Sequence, residues 1–144
     1  MPIQWTISHP HRLVVAVCKD TVSRTDIEDY LDKVVVSDTL PYAKIFDMAD
    51  ATLALDDDDM MALGARIRAY AGISDMGPLA LVAASAENNG RARQFAALAE
   101  ANRPIGIFST MRAAERWLQT QSHADDRPAG LSPKLRSLLL ALQL

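Results

Sequence analysis

The feature that most constrains this chain is a strict alternation of short apolar runs with amphipathic stretches, from Ile3 to Leu118. Ile3, Trp5 and Ile7 face one way and Gln4, Thr6 and Ser8 the other, the period of two of a half-buried strand. His9-Pro10-His11-Arg12 reads as a turn, because proline cannot donate to a sheet ladder. Leu13–Cys18 is a continuous β-branched run, typical of a strand covered on both faces. These two segments are expected to pair as an antiparallel hairpin.

The clearest helix follows. Thr25 with Glu28 forms a capping-box signature, and Ser23 with Asp26 a competing one. Ile27, Tyr30, Leu31, Val34 and Val35 then fall on one stripe, and Pro41 ends the pattern. Ala43–Asp47 reads as a third strand. Asp56–Asp59 suit the first turn of a second helix, where carboxylates complement the positive end of its dipole. Met60, Leu63, Ile67 and Tyr70 give its apolar face, and Gly72 a C-terminal cap. Leu79–Ala83 is a fourth strand after the Gly77-Pro78 turn. A helix over 88–100 turns Phe95, Leu98 and Ala99 inward. Ile105–Phe108 is the fifth strand, and Ser109 or Thr110 caps a last helix carrying Ala113, Ala114, Trp117 and Leu118.

Strands that alternate with helices in this way imply βαβ units. The expected fold class is α/β: a mixed five-stranded sheet, antiparallel only at its first hairpin, flanked by four helices. Residues 1–121 make up this domain. Residues 122–130 read as a linker, and 131–144 as an appended amphipathic helix. In that tail Leu135, Leu138, Leu139 and Leu142 form a stripe too apolar to leave in water. It docks either on its own domain or on a partner, the latter making a homodimer; the pattern leaves both open.

Composition removes several function classes. A net charge of −3 provides no basic field for nucleic acid. The single Cys18 excludes an internal disulfide framework and any multi-cysteine zinc site. No segment reads as a secretory signal, and no apolar run approaches the ~20 residues of a membrane span. A cytoplasmic protein is expected.

Ligands of such sheets sit beyond the carboxyl ends of the parallel strands. The residues expected on that rim are Asp20, Asp47, Asp50, Thr52, Ser85, Asn88 and Arg91. The three aspartates are hard ligands that would suit Mg²⁺ and phosphoryl chemistry. Ordinary caps and turns account for them equally well, and the sequence assigns no metal and no cofactor. Ser85–Arg93 sets small polar residues and two arginines at a helix start, which would suit an anion but also plain capping. His9 and His11 flank a proline in a turn and read as exposed. No nucleophile elbow or glycine-rich phosphate loop occurs.

The order of elements, with Lys44-Ile45-Phe46-Asp47, Gly77–Val82, and Ile107-Phe108 followed by Ala114, Trp117 and Leu118, resembles the SpoIIAA-like family, relatives of the STAS domain of anti-sigma-factor antagonists. The likeness covers about residues 3 to 120. It implies a non-catalytic switch, in which a hydroxyl at the start of the helix after the third strand is phosphorylated and docking is lost by repulsion. Here that stretch is Asp47–Thr52, with no serine; Thr52 is its one hydroxyl, and four aspartates follow. The expected function is therefore a non-enzymatic regulatory or protein-interaction module. The alternative is a binding protein for a small apolar, lipid-like ligand, and a weaker one an Mg²⁺-dependent phosphoryl-transfer enzyme. A pocket lined by Leu, Met and Phe would favour the second reading.

Overall fold

A computed structural model describes residues 2–99 and 103–125, with side chains through Gln121. Its elements are β1 (Ile3–Ser8), β2 (Leu13–Ser23), α1 (Arg24–Val36), β3 (Ala43–Ala54), α2 (Asp57–Ala71), β4 (Leu79–Val82), α3 (Ala86–Ala99), β5 (Ile105–Phe108) and α4 (Met111–Asp125). The five strands form one sheet in the order β1-β2-β3-β4-β5. Only β1 and β2 are antiparallel, with Trp5 opposite Ala16; the other pairings are parallel. The expected architecture and the antiparallel hairpin are both present.

Two strands are longer than their apolar runs suggest. Beyond Asp47, β3 continues to Ala54 beside Lys19–Ser23 of β2, past the point where β4 ends. Polar residues in this two-stranded overhang are exposed on both sides, so its sequence carries no continuous apolar signal. A register shift between Val17 and Lys19 starts it, and Asp20 takes a positive φ of 58° beside the irregularity.

Helix ends follow local hydrogen-bonding chemistry. Of the two competing boxes before α1, the structure uses Ser23 and Asp26: each side chain accepts from the other residue's backbone N–H, at 3.3 Å to Ser23 Oγ and 2.9 Å to Asp26 Oδ2. A second box, Asp56 with Asp59, opens α2. Gly72 ends α2 in the right-handed region with φ −77°, so the left-handed freedom of glycine is not used there. Ser85 and Thr110 cap α3 and α4, accepting from Asn88 N (3.0 Å) and Ala113 N (3.2 Å). Because α4 runs to Asp125, it occupies the first residues of the segment expected to be a linker. The leucine-rich tail with Leu135, Leu138, Leu139 and Leu142 lies outside the described residues.

The sheet separates two apolar layers. On one face Val14, Ala16, Cys18, Phe46, Met48 and Leu81 meet Tyr30, Leu31 and Val34 of α1, Met60, Leu63 and Ile67 of α2, and Ala92 and Ala99 of α3. Gly64 permits the close crossing of α2 and α3: a Cβ there would stand 2.8 Å from Leu98 Cβ. On the other face Ala43, Ile45, Ala80 and Val82 meet Ala114 and Leu118 of α4, with Trp117 and Phe108 at the edge.

Candidate functional site

The expected rim residues are dispersed rather than gathered. Asp50 lies opposite Lys19 and Thr52 opposite Thr21 on the overhang, both exposed. Asp20 is exposed as well. Asp47 spends Oδ1 on the backbone N–H of Ala49, 3.0 Å away. Among the described residues no three His, Cys, Asp or Glu side chains are grouped closely enough to hold a metal ion. Asn88 is buried, and its Nδ2 donates to Met48 O (3.0 Å) and Ala51 O (2.9 Å). It is a strut that ties α3 to β3, with no donor on that nitrogen left for a ligand. Arg91 Nη1 donates to Asp57 Oδ1 (2.9 Å) and Gln94 Oε1 (2.7 Å), joining α2 to α3.

Of those residues only Arg91 borders a cavity that lies between the sheet and α1, α2 and α3. The cavity holds about 80 Å³. That exceeds several-fold the ~10–15 Å³ that one water needs. Its floor is Phe46, Met48, Leu79 and Leu81 of the sheet, with Leu53 and Leu55 beyond them. The helices close it with Leu31, Met60, Leu63, Ala92 and Phe95, so the wall is carbon almost throughout. Ile27, Leu53, Arg91 and Phe95 are the half-exposed members, and they mark the mouth. A wall of this kind gives a water molecule no partners.

Ionisable groups stand at both ends. Around the mouth the first turn of α2 places Asp57 beside Arg91, and Asp59 3.5 Å from Arg24 Nη1. Arg91 and Gln94 hold the Asp57 carboxyl below the usual range. At the closed end stands Lys44, only 4% exposed, whose Nζ donates to Leu40 O (2.7 Å) and Tyr42 O (2.8 Å). Burial, reinforced by the charge of Arg103, pushes its pKa down to about 6. Gly77 shapes this corner, since a Cβ there would lie 2.3 Å from Tyr42 O.

Tyr30, 3% exposed, also lines the cavity, packed between Trp5 and Phe46. Among the described residues its hydroxyl has no hydrogen-bond partner, and neither do Nε and Nη1 of Arg103, these three atoms being shielded from solvent. Leaving such a donor unmet costs about 1–3 kcal/mol, more for a charged group. Burial raises the Tyr30 pKa, partly offset by Arg103; burial also lowers Arg103, to about 10, so it remains a cation at neutral pH. Every ion pair found among the described residues uses Arg24, Arg66 or Arg91, so among those residues neither Lys44 nor Arg103 is paired with a carboxylate. Cys18 is buried, and burial, with smaller effects from Asp47 and Asp26, pushes its thiol up to about 12; it is no nucleophile.

Sequence reasoning missed the closed end. Lys44 sits in an apolar strand whose even positions face the cavity, and that contradiction of charge and burial was the available signal. Tyr30 looks like any core aromatic, and Arg103 follows a helix as an ordinary surface cation would.

The fold can be placed among known ones at this point. Among solved structures, the chain is similar to the crystal structure of an uncharacterized protein of the DUF3478 family from Shewanella loihica, itself described as having a SpoIIAA-like fold. The TM-score is 0.52 over 80% of this chain and 90% of that one, at 14% identity. The fold is SpoIIAA-like. No protein-family model and no curated protein matches the sequence. Among the described residues, no helix of this SpoIIAA-like domain is long and apolar enough to cross a membrane.

Proposed function

We propose that this SpoIIAA-like domain is a non-enzymatic binding module for a small, largely apolar ligand, held between the sheet and α1–α3. The observation that carries this reading is the carbon-lined cavity, open at one end through Ile27, Leu53, Arg91 and Phe95. Burying apolar ligand surface there contributes roughly 25 cal/mol per Å² before the costs of association. The sequence favoured a regulatory or protein-interaction module first and an apolar ligand second; the cavity reverses that order. A regulatory role is compatible with it, because α1, α2 and α3 all form the cavity's roof and a ligand among them would bias their packing. Phosphorylation gains no support, since Asp56–Asp59 occupy the start of the helix after β3.

The test is a titration of the full chain with hexanol, followed by NMR of methionine methyl groups. Met48 and Met60 line the cavity, whereas Met111 packs against the opposite layer. Hexanol should shift the first two and leave the third in place, and should raise the melting temperature. No shift at Met48 and Met60 would remove the reading. Its non-enzymatic part fails separately if the protein hydrolyses a phosphoester with Mg²⁺ and loses that activity in Asp47→Asn.

A further inference from the structure

The wall of the cavity determines which end of a ligand enters it. Tyr30 and Lys44 carry polar atoms, yet both line the cavity with carbon: Tyr30 with its ring, clamped by Trp5 and Phe46, and Lys44 with its methylene stem. The Lys44 Nζ is turned to the carbonyls of Leu40 and Tyr42. Leu79, opposite Lys44 on β4, completes this inner end with an apolar side chain. A hydroxyl, amine or acid carried inward would give up its water and meet no partner on that wall. The penalty is larger than the gain from burying one carbon.

Size limits what enters as well. The volume of about 80 Å³ is close to half that of an apolar cavity of ~150 Å³ that holds benzene. In proportion it takes about three to four carbons, and further carbons would lie in the half-exposed mouth among Ile27, Leu53, Arg91 and Phe95. Polar partners stand at that mouth, where Arg91 Nη1 meets Asp57 Oδ1 at 2.9 Å and Gln94 Oε1 at 2.7 Å. A polar end left there keeps its water.

We propose that the ligand is an amphiphile that inserts a bare alkyl end, about four carbons deep, against Leu79, Tyr30 and the Lys44 stem, and leaves its polar end in water at the mouth beside Arg91. This rests on the apolar-ligand reading above and adds the direction of binding and a limit on the buried length. The inner end recognises shape and length alone. Leu79 sets the depth, because it stands where the inserted chain would stop.

The experiment follows the Met48 and Met60 methyl signals of the full chain during titration with straight-chain alcohols from propanol to octanol, and with butane and hexane diols hydroxylated at both ends. Each carbon up to butanol should tighten binding about fourfold, the effect of one fully buried CH₂, and each carbon beyond it less than about twofold. Each diol should bind at least about tenfold more weakly than the alcohol of equal length, since one hydroxyl must go inward. A diol that binds as tightly as its alcohol overturns the direction of binding, and a constant factor per carbon through octanol overturns the length limit. Both results leave the apolar-ligand reading standing, whereas failure of every alcohol to shift the two signals overturns that reading itself. Leu79→Ala deepens the inner end and should move the break in the series about one to two carbons longer; Leu79→Val, the milder change, should move it the same way if Leu79→Ala does not fold. Lys44→Met keeps a stem and removes the amine, so it should leave hexanol affinity within about twofold. If the Leu79 variant keeps the wild-type break, or Lys44→Met loses more than that, the assignment of the inner end is wrong.

Discussion

On the α4 side of the sheet the residues that meet are Ala43, Ile45, Ala80, Val82, Ala114 and Leu118, most of them small. On the other side long side chains such as Tyr30, Phe46, Met48, Met60 and Leu63 must bridge one sheet and three helices. Small residues let a single helix lie flat on the strands. Three helices cannot all press on the same strands, and the long side chains between them leave the cavity. The buried polar groups divide the same way: Lys44 and Asn88 are buried on the three-helix side, and among the described residues α4 contributes no buried polar side chain. One face is built for stability, and the other accepts a packing defect with charges at both its ends.

That contrast can be broken by mutation. The largest effect is expected from truncation: Ile45→Ala in the closed layer should cost about 2–5 kcal/mol in urea unfolding, near the top of that range. Leu55→Ala, at a side chain already bordering free space, should fall near the bottom. Equal losses would mean that the two layers are equally well packed. Next, Asn88→Ala leaves the carbonyls of Met48 and Ala51 without their donor and should cost about 1–3 kcal/mol by the same assay.

Enlargement sharpens the comparison from the other direction. Ala114→Leu overpacks the α4 layer and should destabilise by about 1–3 kcal/mol. Ala92→Leu grows into the cavity, should cost less than about 1 kcal/mol, and should weaken hexanol binding. A further effect is a slope. The folded-state pKa of Lys44, about 6, lies below its ordinary value of 10.5, so between those values the unfolded chain binds the extra proton. Stability therefore rises with pH over that window, by at most about 1.4 kcal/mol per unit. Urea unfolding between about pH 6.5 and 8.5 should show this rise in the wild type and its loss in Lys44→Met. A variant with an unchanged slope would place the titration elsewhere.

Much of the fold was legible because its signals are local. The alternation of Ile3, Trp5 and Ile7 and the β-branched run Leu13–Cys18 announce a hairpin; the stripe of Tyr30, Leu31 and Val34 announces a helix that packs. The overhang of β2 and β3 was illegible because Lys19, Asp20, Asp50 and Thr52 face solvent and break the apolar run, while the pairing that makes them strands is made between distant segments. The rim aspartates were visible as residues, but their separate fates depend on which way each strand turns beyond the bulge at Val17 and Lys19. Lys44 in the middle of an apolar strand was the one trace of the cavity's closed end.

By itself, then, the sequence determined the number and kind of elements, the hairpin and most of the capping residues, because hydrophobic period and side-chain hydrogen bonding act within a few residues of each other. Tertiary structure alone decided that three helices would share one face and leave a void, and that Lys44 and Tyr30 would both line it under the charge of Arg103. Those residues come from three separate segments of the chain. Their proximity is fixed by strand order and helix crossing, which no local pattern encodes.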